Sequence, residues 1–128
     1  MARITRFDFK KLDAYEAALD FFGWAVQVTG RISWRYRSVG DQFIRAAASI
    51  LGNLGESGGR RRMPAESSQH YRYAQGSTHE CAAYLDALVL MGTIDDDAYN
   101  DREAQLARIG SMITRLIDHQ ERRRGRTR

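Results

Sequence analysis

Several residue clusters in this chain have the types that chemistry requires, and spacing disposes of most of them. His79 and Glu80 open like the zinc helix of metalloproteases, but the second histidine would have to stand where Ala83 is. A di-iron carboxylate bundle needs Glu-x-x-His pairs, yet three residues after Glu56, Glu66 and Glu80 come Gly59, Gln69 and Ala83. Glu66 and His70 lie one helical turn apart, which suits an adventitious ion or a solvated helix start. Gly52, Gly55, Gly58 and Gly59 follow no strand and fit neither the P-loop nor a dinucleotide fingerprint. Ser49, Ser57, Ser67, Ser68 and Ser77 have no His and Asp at spacings that suggest a triad. The lone Cys81 falls on an apolar stripe and reads as a small buried hydrophobe, not a nucleophile. No catalytic residue, metal-ligand set or cofactor is expected.

What remains is charge and one polar patch. The chain carries 20 cations against 16 carboxylates, and 18 of those cations are Arg, the side chain best matched to phosphate and carboxylate. Fourteen of the 20 fall in three clusters: Arg3, Arg6, Lys10 and Lys11; Arg60, Arg61 and Arg62; and Arg108, Arg115 and Arg122 at heptad spacing, extended by Arg123, Arg124, Arg126 and Arg128. Arg45, Ser49, Asn53 and Glu56, spaced by four, four and three, share one side of a helix with the small residues Ala48, Gly52 and Gly55. Two glycines inside a helix cost about 1 kcal/mol each relative to Ala, so close approach of another backbone competes here with a plain solvated face. Gly76, Ser77 and Glu80 repeat the pattern further on.

Four helices must position these groups. The chain's 128 residues suit one domain, 43% hydrophobic and 28% charged residues suit a globular one, and a single Pro favours helix. The first helix, about 25 residues long and ending near Tyr36, is expected to turn Leu12, Tyr15, Leu19, Phe22, Val26 and Thr29 to the core. Ser38 to Asp41 reads as a turn. The second helix follows with Phe43, Ala47, Ile50, Leu51 and Leu54 inward and stops over Gly55 to Gly59, before a loop from Gly58 to Pro64. The third, Glu66 to Gly92, buries Tyr71, Ala74, Thr78, Cys81, Leu85 and Leu88. The fourth begins after the Asp-rich connection Thr93 to Asp97 and runs to about Gln120, with Tyr99, Leu106, Ile109, Ile113, Leu116 and Ile117 on one stripe. Short connections make the neighbours antiparallel, so the fold is an all-α, up-down-up-down four-helix bundle over 12–120. A basic arm over 1–11 precedes it, and a frayed basic tail over 121–128 follows.

No apolar run approaches the roughly 18 residues of a membrane span, no secretory leader is expected, and a cytoplasmic home fits the single cysteine. The first helix carries a second apolar stripe, Ala14, Ala17, Phe21, Trp24, Val28 and Ile32, and the third a back stripe of Tyr73, Ser77, Tyr84, Ala87 and Met91. Faces of that kind either meet a second copy of the chain or lie under long Arg stems. Self-association is the expectation.

The run from Phe43 to Gly58, with Arg45, Ser49, Asn53 and Glu56 in register, resembles the signature of the four-helix bundle proteins encoded in 23S rRNA intervening sequences. Tyr71 to Glu80, through Gly76 and Ser77, resembles that family's second block. Gly55 stands where the pattern has Ala, and Ser57 where it has Gly. The resemblance implies an antiparallel bundle assembled as a homopentamer without established activity. It makes Arg45, Ser49, Asn53, Glu56, Ser77 and Glu80 motif positions with structural or interface roles. More distantly it extends to the accessory variability determinant of diversity-generating retroelements, a basic pentamer that binds a reverse transcriptase and nucleic acid.

Together these readings predict a non-enzymatic, oligomeric, basic accessory protein that contacts RNA or DNA through Arg60, Arg61, Arg62, Arg108, Arg115, Arg122, Arg123 and Arg124. The competing class is a protein–protein adaptor that docks a partner enzyme without touching nucleic acid.

Overall fold

The computed structural model describes residues 3–126. Apolar stripes at helical spacing become four helices: α1 (Asp13–Thr29), α2 (Arg37–Gly59), α3 (Pro64–Leu90) and α4 (Asp96–Arg126). No strand occurs among the described residues. α1 packs on α2, α2 on α3, α3 on α4 and α4 back on α1, while the diagonal pairs stay apart. This is the expected antiparallel four-helix bundle. Pro64 opens α3 at a position where its missing N–H costs nothing. Asp95 caps α4, its Oδ1 accepting the Ala98 N–H at 2.9 Å. α3 ends in a Schellman motif: Gly92, at φ 73°, lets the Thr93 N–H reach the Leu88 carbonyl at 3.0 Å and the Gly92 N–H reach that of Val89 at 2.9 Å.

The expected inner stripe of α3 is buried throughout, and Phe43, Ala47, Ile50 and Leu54 of α2 are buried with it. Leu106, Ile109, Ile113 and Ile117 of α4 complete the core. The two faces of α1 are exchanged relative to the expectation. Ala14, Ala17, Ala18, Phe21, Ala25 and Val28 face inward, whereas Leu19 and Val26 are 40% and 49% exposed. The inward face carries Phe21, whose fully buried ring stands edge-on to Phe43 of α2 at 5.9 Å, with the alanines buried around it, and the other stripe is left outside. The back stripe of α3 is also partly used, because half-buried Tyr84 sets its ring edge-on to Phe43 at 6.3 Å.

Helix ends depart from the expected ones for related reasons. α1 stops at Thr29, and the corner runs through Gly30–Ser33 and a short 3-10 turn, Trp34–Tyr36. The residues Ser38 to Asp41 are helical, not a turn. Gly40 is there because the Ile32 side chain presses against it, 3.1 Å from where a Cβ would stand. α2 likewise continues through Gly55 and Gly58, which seat the Phe9 ring of the N-terminal arm. A Cβ on Gly58 would lie 2.8 Å from Phe9 Cβ. α4 runs six residues past Gln120, so the expected frayed tail is helix as far as Arg126, and Arg128 lies outside the described residues.

Candidate nucleic-acid interface

At the end of the bundle where α2 turns into α3, polar side chains do the joining. Ser57 donates its hydroxyl to the Ser67 carbonyl at 2.8 Å, and Ser67 returns the bond to the Ser57 carbonyl at 3.1 Å. Both serines are buried. Gln120, buried on the core stripe of α4, donates from Nε2 to Ser67 Oγ at 3.0 Å and accepts from Arg123 with Oε1 at 2.9 Å. Arg123 also donates to the Arg61 carbonyl at 2.7 Å. The loop that carries Arg60, Arg61 and Arg62 is thereby held against the last turns of α4.

A second tie lies beside it. Ser68 donates to Glu121 at 2.6 Å, and Arg72 and Arg124 sit 3.5 and 3.9 Å from the same carboxylate. The Ser68 hydroxyl first, then the two guanidinium groups, hold the Glu121 carboxyl below its ordinary 4.5. Nearby, burial pushes the Tyr71 phenol up, against the pull of Arg61.

These ties collect charge from all three basic clusters. Arg3, Arg6, Lys10 and Lys11 come from the arm, Arg60, Arg61 and Arg62 from the loop, Arg72 from α3, and Arg122, Arg123, Arg124 and Arg126 from α4. Set against these twelve are Asp8, Asp13, Glu16, Glu56, Glu66, Asp118 and Glu121. Part of the positive charge is spent internally. Arg60 pairs with Glu56 and lies 3.7 Å from Glu66, and Arg61 lies 3.6 Å from Asp8. Arg62, Arg122 and Arg126 are exposed.

Arg108 and Arg115 fall elsewhere. They line shallow grooves between α1 and α4, Arg108 beside Asp13, Glu16 and Asp20 and Arg115 beside Asp13, so the heptad ridge joins the basic end only at Arg122. The motif positions form a separate feature between α2 and α3. Asn53 donates to the Ser49 carbonyl at 2.9 Å and to Ser49 Oγ at 3.0 Å, and Ser77 donates to Ser49 Oγ at 2.8 Å. His70 Nδ1 lies 3.2 Å from Asn53 Oδ1, which gives this histidine a structural neighbour in place of the ion considered from sequence. Arg45 and Glu80 point to solvent, and Glu56 serves Arg60.

Sequence reasoning missed Gln120, Ser57, Ser67 and the aromatic pair Phe7 and Phe9. The signal for Gln120 was present, because it continues the buried stripe of Ile109, Ile113 and Ile117 as a polar residue that needs partners.

Other clusters offer less. Burial pushes the Cys81 thiol up to about 12, which keeps it protonated and inert. Tyr99 bonds to Glu103 and Asp86, which raise its phenol above the ordinary range. Among the described residues no three His, Cys, Asp or Glu side chains gather as a metal site, and no helix is long and apolar enough to cross a membrane. A groove of about 540 Å³ between α3 and α4 is lined by Gln75, Thr78, His79, Glu103, Gly110 and Thr114, none of them a basic-cluster residue. A family model described as 23S rRNA-intervening sequence protein matches residues 10–115. No curated protein matches the chain.

Proposed function

Since the chain belongs to the 23S rRNA-intervening sequence protein family, we propose that it acts without catalysis, as a self-associating accessory protein of the cytoplasm whose basic end binds RNA or DNA through phosphates. The observation that carries this reading is the convergence of arm, loop and α4 terminus at one end of the bundle, with twelve cations against seven carboxylates. Arg60, Arg61, Arg62, Arg122, Arg123 and Arg124 belong to that end. Arg108 and Arg115, beside the α1 carboxylates, contribute less. Contacts of this type are sequence-independent and release counterions, so affinity falls steeply with salt.

The outward stripe of α1 supports self-association. Leu19 and Val26 are open, and Tyr15 and Phe22 are half-buried along the same helix, an apolar face that a second copy would cover. A pentamer, as the family resemblance implies, would repeat the basic end five times and multiply weak phosphate contacts. A partner enzyme such as a reverse transcriptase would then meet the nucleic acid already held.

A gel-shift titration across salt tests the reading, with retardation expected at low ionic strength and lost as salt rises. No retardation of RNA or DNA at the lowest salt would leave the adaptor alternative. Light scattering tests the assembly, and a monomeric mass would remove it.

A further inference from the structure

We infer that the cleft between the N-terminal arm and α2 receives an unstacked base from a single-stranded nucleic acid, with the Phe7 ring as its platform. This rests on the phosphate-binding reading of the basic end and narrows that reading to one strand. The arm carries two aromatic rings with opposite fates. Phe9 is tucked in, its ring 3.6 Å from where a Gly55 Cβ would stand and edge-on to Tyr15 at 5.2 Å. Phe7, with its ring centroid 6.1 Å from that of Phe9, stays 62% exposed. Its backbone is closed into a local turn, the Phe7 N–H donating to Thr5 Oγ1 at 3.2 Å. The Lys10 ammonium lies over this ring, and the ring's remaining exposed surface is what a nucleobase stacks on.

The charges around the ring suit the backbone of such a strand. Arg6, Phe7, Leu12, Gly58, Arg61 and Tyr71 line a cleft of about 350 Å³, and the Lys10 ammonium lies 5.6 Å from the Phe7 centroid. Asp8 is the carboxylate in this cleft, 3.6 Å from both Arg61 and Lys11, and an incoming phosphate would compete for those cations. A second copy of the same surface fits poorly, since it would set Arg6 and Arg61 against their own like charges. A duplex fits only in part, because its bases already stack on each other and offer the ring no free face.

Fluorescence anisotropy of the full chain, with short oligouridylate and oligothymidylate strands and a duplex of equal length at low salt, tests this. Single strands are expected to bind more tightly than the duplex. Phe7→Ala should weaken the single strands about five- to a hundredfold, the range of one base–aromatic stack, and leave the duplex within about twofold. Phe7→Trp should restore single-strand affinity and show quenched emission on binding. Unchanged single-strand affinity in Phe7→Ala, with duplex binding intact, overturns the platform and spares the phosphate surface. Failure of the wild-type chain to bind any of the three probes overturns both.

Discussion

The two ends of this bundle are joined by different chemistry. Where α2 meets α3, buried serines, Gln120 and arginine side chains close the structure through hydrogen bonds, and the local charge is strongly positive. Toward the opposite end, aromatic rings do the packing: Phe21 lies 5.7 Å from Trp24 and 5.9 Å from Phe43, and Trp24 stands edge-on to Phe43 at 6.3 Å. The Arg102 guanidinium covers Trp24 at 5.0 Å and pairs with Asp20 at 3.1 Å, and Gln105 holds the Asp20 carboxyl below its ordinary range. Charge at the connections of that far end is reversed, with Asp41, Asp86, Asp95, Asp96, Asp97 and Asp101 against Arg31, Arg35, Arg37 and Arg102. Apolar burial supplies stability at little cost in specificity, whereas a hydrogen-bonded clamp fixes one loop geometry. The difference sets apolar packing at one end against a hydrogen-bonded, positively charged clamp at the other.

The strongest way to break that division is at the rings. Phe43→Ala, at a fully buried position, should lower stability by about 3 to 5 kcal/mol in a denaturant melt, and a loss below about 1 kcal/mol would refute the structural role of the aromatic end. Next comes charge. Replacing Arg62, Arg122 and Arg126 together with Ala should lower the log–log salt slope of binding by about 2 to 3, whereas replacing Arg31, Arg35 and Arg37 should leave it unchanged. Equal effects would erase the distinction between the ends.

Gln120→Ala deprives Arg123 of an acceptor and Ser67 Oγ of a donor, and should cost about 1 to 3 kcal/mol while speeding amide exchange in residues 59–63. The smallest effect is acid sensitivity. Because the Glu121 carboxyl is lowered in the folded chain, its contribution is complete above the ordinary 4.5 and is lost as pH falls through the folded value. The stability gap between wild type and Glu121→Gln should therefore narrow below pH 4.5 and stay constant near neutrality. A gap that widens on acidification would contradict the Ser68 and Arg72 contacts.

Much of this was legible in residue order. The first stripes of α2, α3 and α4 predicted most of the buried residues, with Leu51, Tyr99 and Leu116 only half-buried. α1 has two stripes, and choosing the other one put Leu19 and Val26 inside and Phe21 outside, whereas the Phe21 ring is buried against Phe43 of α2. Glycine misled for a similar reason: Gly40, Gly55 and Gly58 signalled breaks, yet each makes room for a side chain distant in sequence, Ile32 or Phe9. Periodicity carries no such information. The basic clusters were visible as clusters. Their meeting at one end, and the separation of Arg108 and Arg115 from it, required knowing which helix ends adjoin.

The Phe9 seat on α2 has a thermodynamic corollary. The arm contributes only the 3-10 turn Asp8–Lys11 and rests on the Phe9 ring, set into two glycine gaps and against Tyr15, and on the Asp8–Arg61 pair, so releasing it exposes little area compared with global unfolding. Its detachment is accordingly a low-energy, sub-global opening. Trypsin should trim the native chain at Lys10 or Lys11 long before it cuts the helices, at a rate that follows the equilibrium of the seat and ignores the melting point of the whole.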